Sequence, residues 1–210
     1  DSIKYIGSLM SRLKDLFKNK LPDCIIVLGD RYEMFSIAIV AHFYNIPIVH
    51  LHGGELTYGA LDDAFRHSIT KMSTIHLVST SKYKKRIIQL GEKKSNVVNV
   101  GSLSCEQILK TKFLSLKAIN KKLKININKP YFVISYHPET KLSIKKNIYN
   151  FEILLKSLSR FKEVYFLFTF PNADPGNKFI INKINKFTSS KYPNYIVIKN
   201  LGHFNFINIL

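Results

Sequence analysis

Short apolar runs rich in β-branched residues recur along the chain, each closed by a polar loop and separated from the next by a segment of helix length. Cys24-Ile25-Ile26-Val27-Leu28 precedes Gly29-Asp30-Arg31, and Ile46-Pro47-Ile48-Val49-His50-Leu51 precedes His52-Gly53-Gly54-Glu55. Continuous runs of this kind, rather than strictly alternating ones, predict parallel strands buried on both faces. In an open parallel sheet, the loops at the carboxyl ends of the strands line the ligand crevice. The two polar clusters are therefore expected on one rim.

The same period extends through the sequence and predicts an α/β fold. Helical spacing runs from Ile3 to Phe17, then over 33–44, 62–72 and 82–90, with strands at 24–28, 46–51, 75–79 and 96–100. A second βα series opens at Tyr131, with strands at 131–136, 164–168 and 195–198 and helices at 144–161 and 179–187, and the last residues, 207–210, read as part of a further amphipathic helix. Between the series the text turns Lys-Asn-rich with weak periodicity. The expected organisation is one Rossmann-like domain over 1–112, a connection over 113–129, and a second domain over 130–210.

A length of 210 residues and a hydrophobic fraction of 46% exclude a disordered chain. Two cysteines, Cys24 in an expected buried strand and Cys105 near a turn, make neither a disulfide framework nor metal-ligand spacing, which fits a reducing compartment. No stretch reaches the roughly 18 apolar residues of a membrane span, and no secretory leader pattern opens the chain, so no membrane partner is expected and the cytoplasm is the expected location. The net charge of +18 raises the question of nucleic acid. However, lysines are scattered among Asn and Ile, and only Arg12, Arg31, Arg66, Arg86 and Arg160 are arginines. A nucleic-acid footprint needs clustering, so a basic binding module is a remote alternative.

The residues between Gly29 and Lys71 hold the chemistry. Asp30 and Glu33 could simply cap the following helix, but Arg31 opposes a helix dipole, which suggests an anion held between it and the free amides. In the second loop, Gly53 and Gly54 permit close approach, while His52 and Glu55 are suited to proton transfer at neutral pH; His50 is read as structural. Asp62-Asp63 and Arg66-His67 form i, i+4 pairs at the start of a helix, as surface stitching or as part of the rim. His137 follows the first strand of the second series, again at a carboxyl end, whereas Asn172 and Asp174 are read as turn formers. No metal motif, nucleophile elbow or dinucleotide fingerprint is present, so no metal or cofactor is expected.

Taken jointly, the runs GDRYEM, IPIVHLHGGELTYGALDD, FRHSITKMSTIHLVSTSKYKKRIIQLGE, VVNVGSLSCEQI and SYHPET resemble the UDP-N-acetylglucosamine 2-epimerases over essentially the whole chain, especially the hydrolysing branch of sialic- and legionaminic-type pathways. The resemblance implies two Rossmann-like domains facing a cleft in GT-B fashion. It implies proton abstraction at sugar C2 with loss of UDP to a glycal, then hydration to N-acetylmannosamine or a related 2-epimer. By position, Asp30 and Asp62 resemble catalytic carboxylates, and His52 stands where the family has a carboxylate, leaving open whether His52 or Glu55 transfers that proton. Arg31 and His137 resemble residues facing the diphosphate or sugar; Arg66 and His67 belong to the RH element, and Glu33 is grouped with the substrate-binding set. The family's first strand and its later serine-rich nucleotide loop have no counterpart, so both domains are expected to be incomplete and the chain an internal fragment, poorly active alone. A non-hydrolysing epimerase or a GT-B glycosyltransferase is the alternative, and a homo-oligomer is left open for a full-length form.

Overall fold

The computed structural model describes residues 2–172, 176–188 and 194–210, in two compact units, Asp1–Lys110 and Thr111–Leu210. Four parallel strands of the first unit lie in chain order: β1 (Ile25–Leu28), β2 (Ile48–Leu51), β3 (Ile75–Val78) and β4 (Val97–Asn99). The helices are α1 (Ser2–Asn19), α2 (Tyr32–Phe43), α3 (Asp62–Met72), α4 (Ser81–Gln89) and α5 (Leu103–Lys110).

Parallel crossovers are right-handed, so a sheet that advances in one direction collects its crossover helices on one face. Across that face Val27, His50, His76 and Val97 stand in register, and all four are buried. Val27 and Ile48 pack there with Ala38 and Ala41 of α2, Ile69 of α3 and Phe17 of α1. The opposite face is open: Ile26 is 67% exposed and Leu28 54%. The expectation of strands buried on both faces is corrected for this unit, because its topology supplies helices to one side only. Cys24 lies before β1 and is exposed rather than buried.

The second unit holds α6 (Leu116–Leu123), α7 (Ile144–Leu158), α8 (Asn177–Thr188) and α9 (Gly202–Ile209), around parallel strands β5 (Tyr131–Ser135), β6 (Tyr165–Thr169) and β7 (Tyr195–Val197) in that order. Here β6 is covered on both sides. Phe166 and Phe168 pack with Phe151 and Leu155 of α7 and Ile180 and Ile184 of α8. Leu167 points the other way, to Ile119 of α6 and Leu201 and Ile209 by α9.

The stretch 113–129, read as a connection, thus contains a helix that is part of this core. Leu116, Ile119 and Leu123 recur at helical spacing, Ser115 Oγ accepts from the Ala118 amide, and Asn120 bonds both backbone groups of Ile127. Among the described residues no helix is long and apolar enough to cross a membrane.

Candidate functional site

Because β1, β2 and β3 run parallel, their carboxyl ends bring Asp30, His52 and Ser79 to the same rim of the first sheet. His50 anchors this rim from beneath. It is fully buried; Nε2 donates to the Gly29 carbonyl at 2.8 Å, leaving Nδ1 to accept from Thr70 Oγ1 at 3.2 Å. Burial lowers its pKa to about 4, so the ring is neutral. A neutral histidine with both nitrogens engaged serves to hold the turn at Gly29, where φ is +78°, and so sets the direction of Asp30.

Asp30 does not cap α2. That position belongs to Arg31, which makes no side-chain cap bond, while the Asp30 carboxylate is ion-paired with the buried Arg66 of α3. Arg66 Nη2 also donates to Thr57 Oγ1 at 2.9 Å, and Nη1 lies 3.9 Å from Asp63. The Thr57 amide in turn donates to Asp63 at 2.8 Å, closing the loop onto the helix. Desolvation raises the Asp30 pKa from its ordinary value; Arg66 opposes this, and Asp62 and Glu55 reinforce it. Asp30, Asp62, Glu55 and Arg66 therefore lie within electrostatic reach of one another. The expected Asp62–Arg66 stitching gives way to Arg66 with Asp30 and Asp63, while Asp63 also stands 3.9 Å from His67.

The second loop is built for close approach. A Cβ at Gly53 would meet His50, Ile87 and Thr70 at 3.0–3.1 Å, and one at Gly54, where φ is +76°, would sit 2.7 Å from the Tyr83 carbonyl oxygen. Arg86 of α4 lies over the Tyr83 ring and donates to the Gly54 carbonyl. Within this frame His52 Nδ1 lies 2.8 Å from Glu55 Oε1, which also accepts from Ser79 Oγ at 3.0 Å.

Arg31 meets Glu33 instead of standing open for an anion, with Nε 3.2 Å and Nη2 3.4 Å from its two oxygens. Thr57, Ser79 and Arg86 were not singled out by the sequence motifs. Their only signals were position: Ser79 at a strand's carboxyl end, Arg86 as one of five arginines.

His137 belongs to the second unit and is described within it. Nδ1 accepts from the Asn172 amide at 3.2 Å, which leaves Nε2 to donate to Ser135 Oγ at 3.2 Å. It lines a cavity of about 380 Å³ at the carboxyl ends of β5, β6 and β7, with Thr169, Pro171, Lys199 and His203. Thr169 Oγ1 is buried there with no hydrogen-bond partner among the described residues. Asn172 thus holds His137 through its backbone; Asp174 lies outside the described residues. Among the described residues no three His, Cys, Asp or Glu side chains are grouped as a metal would require.

A family model described as UDP-N-acetylglucosamine 2-epimerase matches residues 1–210. The chain is 45% identical over 181 residues to the GDP/UDP-N,N'-diacetylbacillosamine 2-epimerase (hydrolyzing) of Campylobacter jejuni, covering 86% of this chain and 47% of that protein. It is 44% identical over 184 residues to polysialic acid biosynthesis protein P7 of Escherichia coli, covering 87% and 46%. To the UDP-N,N'-diacetylbacillosamine 2-epimerase (hydrolyzing) of Legionella pneumophila it is 32% identical over 207 residues, covering 99% and 54%. The chain spans about half the length of these curated relatives. In fold it is similar to UDP-GlcNAc 2-epimerase from Neisseria meningitidis bound to UDP-GlcNAc, with a TM-score of 0.75 at 20% identity, covering 96% of this chain and 56% of that one. It is also similar to an S. aureus MnaA-UDP co-structure, with a TM-score of 0.73 at 16% identity, covering 100% and 56%.

Proposed function

The chain belongs to the UDP-N-acetylglucosamine 2-epimerase family, and from that premise we propose that its first unit carries the acid–base loops of a hydrolysing UDP-sugar 2-epimerase. One observation carries the reading: a half-buried carboxylate of raised pKa, Asp30, shares a rim with a hydrogen-bonded imidazole–carboxylate pair, His52 and Glu55, and is sensed by Asp62. Epimerisation at C2 by elimination needs one group to remove the C2 proton and others to assist the departing diphosphate and return a proton to the opposite sugar face. General acid–base groups of this sort contribute about 10²–10⁴-fold each.

In this reaction the C2–H bond and the C1–O bond to UDP break, giving a glycal. Water then adds, its oxygen to C1 and a proton to C2, releasing the free 2-epimer. Asp30 and Asp62 supply carboxylates, and Arg66 holds Asp30 in its ionisable position. His67, Arg31 and Glu33 flank the loops as orienting groups. The cavity lined by His137 also holds Lys199, His203 and the Thr169 hydroxyl, donors suited to the diphosphate or sugar. The substrate is a UDP-linked 2-acetamido sugar, N-acetylglucosamine or a diacetamido analogue of the kind the relatives' names state. No cofactor is invoked, and a cytoplasmic setting belongs to the same proposal.

Product analysis tests the reading. The chain, restored to the full length of its relatives, is incubated with UDP-N-acetylglucosamine and with UDP-N,N'-diacetylbacillosamine, and free UDP with the free 2-epimer sugar is expected. Accumulation of a UDP-linked 2-epimer would assign a non-hydrolysing enzyme instead, and transfer of the sugar to an added acceptor would assign a glycosyltransferase.

A further inference from the structure

On the reading of this chain as a UDP-sugar 2-epimerase, we infer that His52 is the proton-transfer group of the second rim loop, acting through Nε2, and that Glu55 and Ser79 are positioning residues that set its tautomer. The hydrogen-bond directions carry the argument. An ionised carboxylate only accepts, so the 2.8 Å contact between His52 Nδ1 and Glu55 Oε1 places the ring hydrogen on Nδ1. In the neutral ring Nε2 is then the bare nitrogen, free to take a proton. Ser79 Oγ donates to the same Oε1 at 3.0 Å, so this oxygen already serves two donors. Charge-assisted bonds of this kind are the stronger ones. Glu55 Oε1 is thereby engaged on the Nδ1 side of the ring, and Nε2 is the nitrogen left for proton transfer.

The backbone supports the same assignment. His52 sits at φ +63°, a strained region that non-glycine residues enter rarely. Its amide donates to the Leu77 carbonyl at 3.0 Å, extending the β2–β3 ladder by one residue, so the strained position is held from the sheet. Gly54, two residues on, is fixed by Arg86 and packed against α4. Three elements thus converge on one side chain: the end of β2 carries the ring, the end of β3 supplies Ser79, and α4 clamps the turn that brings Glu55 back. A loop serving only to connect β2 to α3 needs none of this.

Long-range 15N–1H correlation of the imidazole nitrogens in the 210-residue chain tests the assignment, with the His52 signals identified by their loss in His52→Gln. Neutral wild-type His52 is expected as the Nδ1–H tautomer, shifting toward the ordinary Nε2–H form in Glu55→Ala and part of the way in Ser79→Ala. A wild-type Nε2–H tautomer, or an Nδ1–H signal unchanged in Glu55→Ala, would overturn the inference; if Glu55→Ala does not fold, the wild-type and Ser79→Ala spectra decide it. In the full-length form, His52→Gln is expected to lower kcat about 10²–10⁴-fold with little change in KM, and near-normal kcat in that variant would also overturn it. The spectra do not depend on turnover. An Nδ1–H tautomer without UDP release would sink the epimerase reading alone, and UDP release with an Nε2–H tautomer would sink this inference alone.

Discussion

His50 and His52 stand two positions apart at the end of one strand and play opposite parts. The period-2 geometry of a strand turns one inward and would turn the other with it, but the chain leaves the extended region at His52, where φ is +63°. His50 stays in the core, and its cost is visible in pH. Its folded pKa of about 4 lies below the ordinary 6.5, so between those values the unfolded chain binds a proton that the folded one refuses. Stability from this group is complete above pH 6.5 and is lost as pH falls toward 4, by about 3 kcal/mol over the whole window. The buried His76, also shifted down by burial with Glu92 opposing, acts in the same direction. Urea unfolding between pH 7 and 4.5 is expected to show this fall, and His50→Gln, which can still donate to Gly29, should remove most of it. An unchanged pH dependence in that variant would contradict the assignment. At this scale Asp30, His52 and Glu55 were legible because strand ends announce their loops. Ser79 and Thr57 were not, since a lone hydroxyl has no spacing signature and its partner lies many residues away.

At the scale of elements, apolar runs located all seven described strands within a residue or two, and helical spacing located seven of the nine described helices. The helices α5 and α6 escaped because each is only 8 residues long, and α6 carries its single apolar stripe inside Lys-Asn-rich text. The open face of β1 was hidden too: residue type says that Ile26 prefers burial, but only the strand order says that nothing in this unit covers it. The glycine turn after β2 was legible as a close approach, and the structure shows to what. Gly54→Ala places a methyl 2.7 Å from the Tyr83 carbonyl oxygen and 2.9 Å from Ile87 Cγ1 at a positive φ, for an expected loss of about 2–4 kcal/mol. Gly29→Ala, at φ +78° with none of the described residues within 4 Å of the added methyl, should lose only the backbone part, about 1–2 kcal/mol. Chemical denaturation of the two variants separates packing from backbone strain; equal losses would mean that the contact with α4 is not holding the loop.

Across the whole molecule, each unit builds its own core around its own parallel sheet, and the family is carried by motifs that no single element contains. The joint occurrence of GDR, HGGE, DD and RHSITK named the relatives, and the structure brings those short runs together after β1 and β2 and along α3, with Asp30 paired to Arg66. The stretch 113–129 was less legible, since a short amphipathic helix rich in lysine reads like a linker until its apolar face finds Leu167. The rim of the first unit is proposed to move a proton off and onto C2 of a UDP-linked amino sugar. Turnover in D2O by the chain restored to its relatives' full length tests it most directly, with the released sugar analysed by NMR and mass spectrometry. Free UDP and a 2-epimer carrying one deuterium at C2 are expected, with both products lost in Asp30→Asn; UDP release with the original hydrogen retained at C2 would mean simple hydrolysis at the anomeric carbon and would overturn the proposed role.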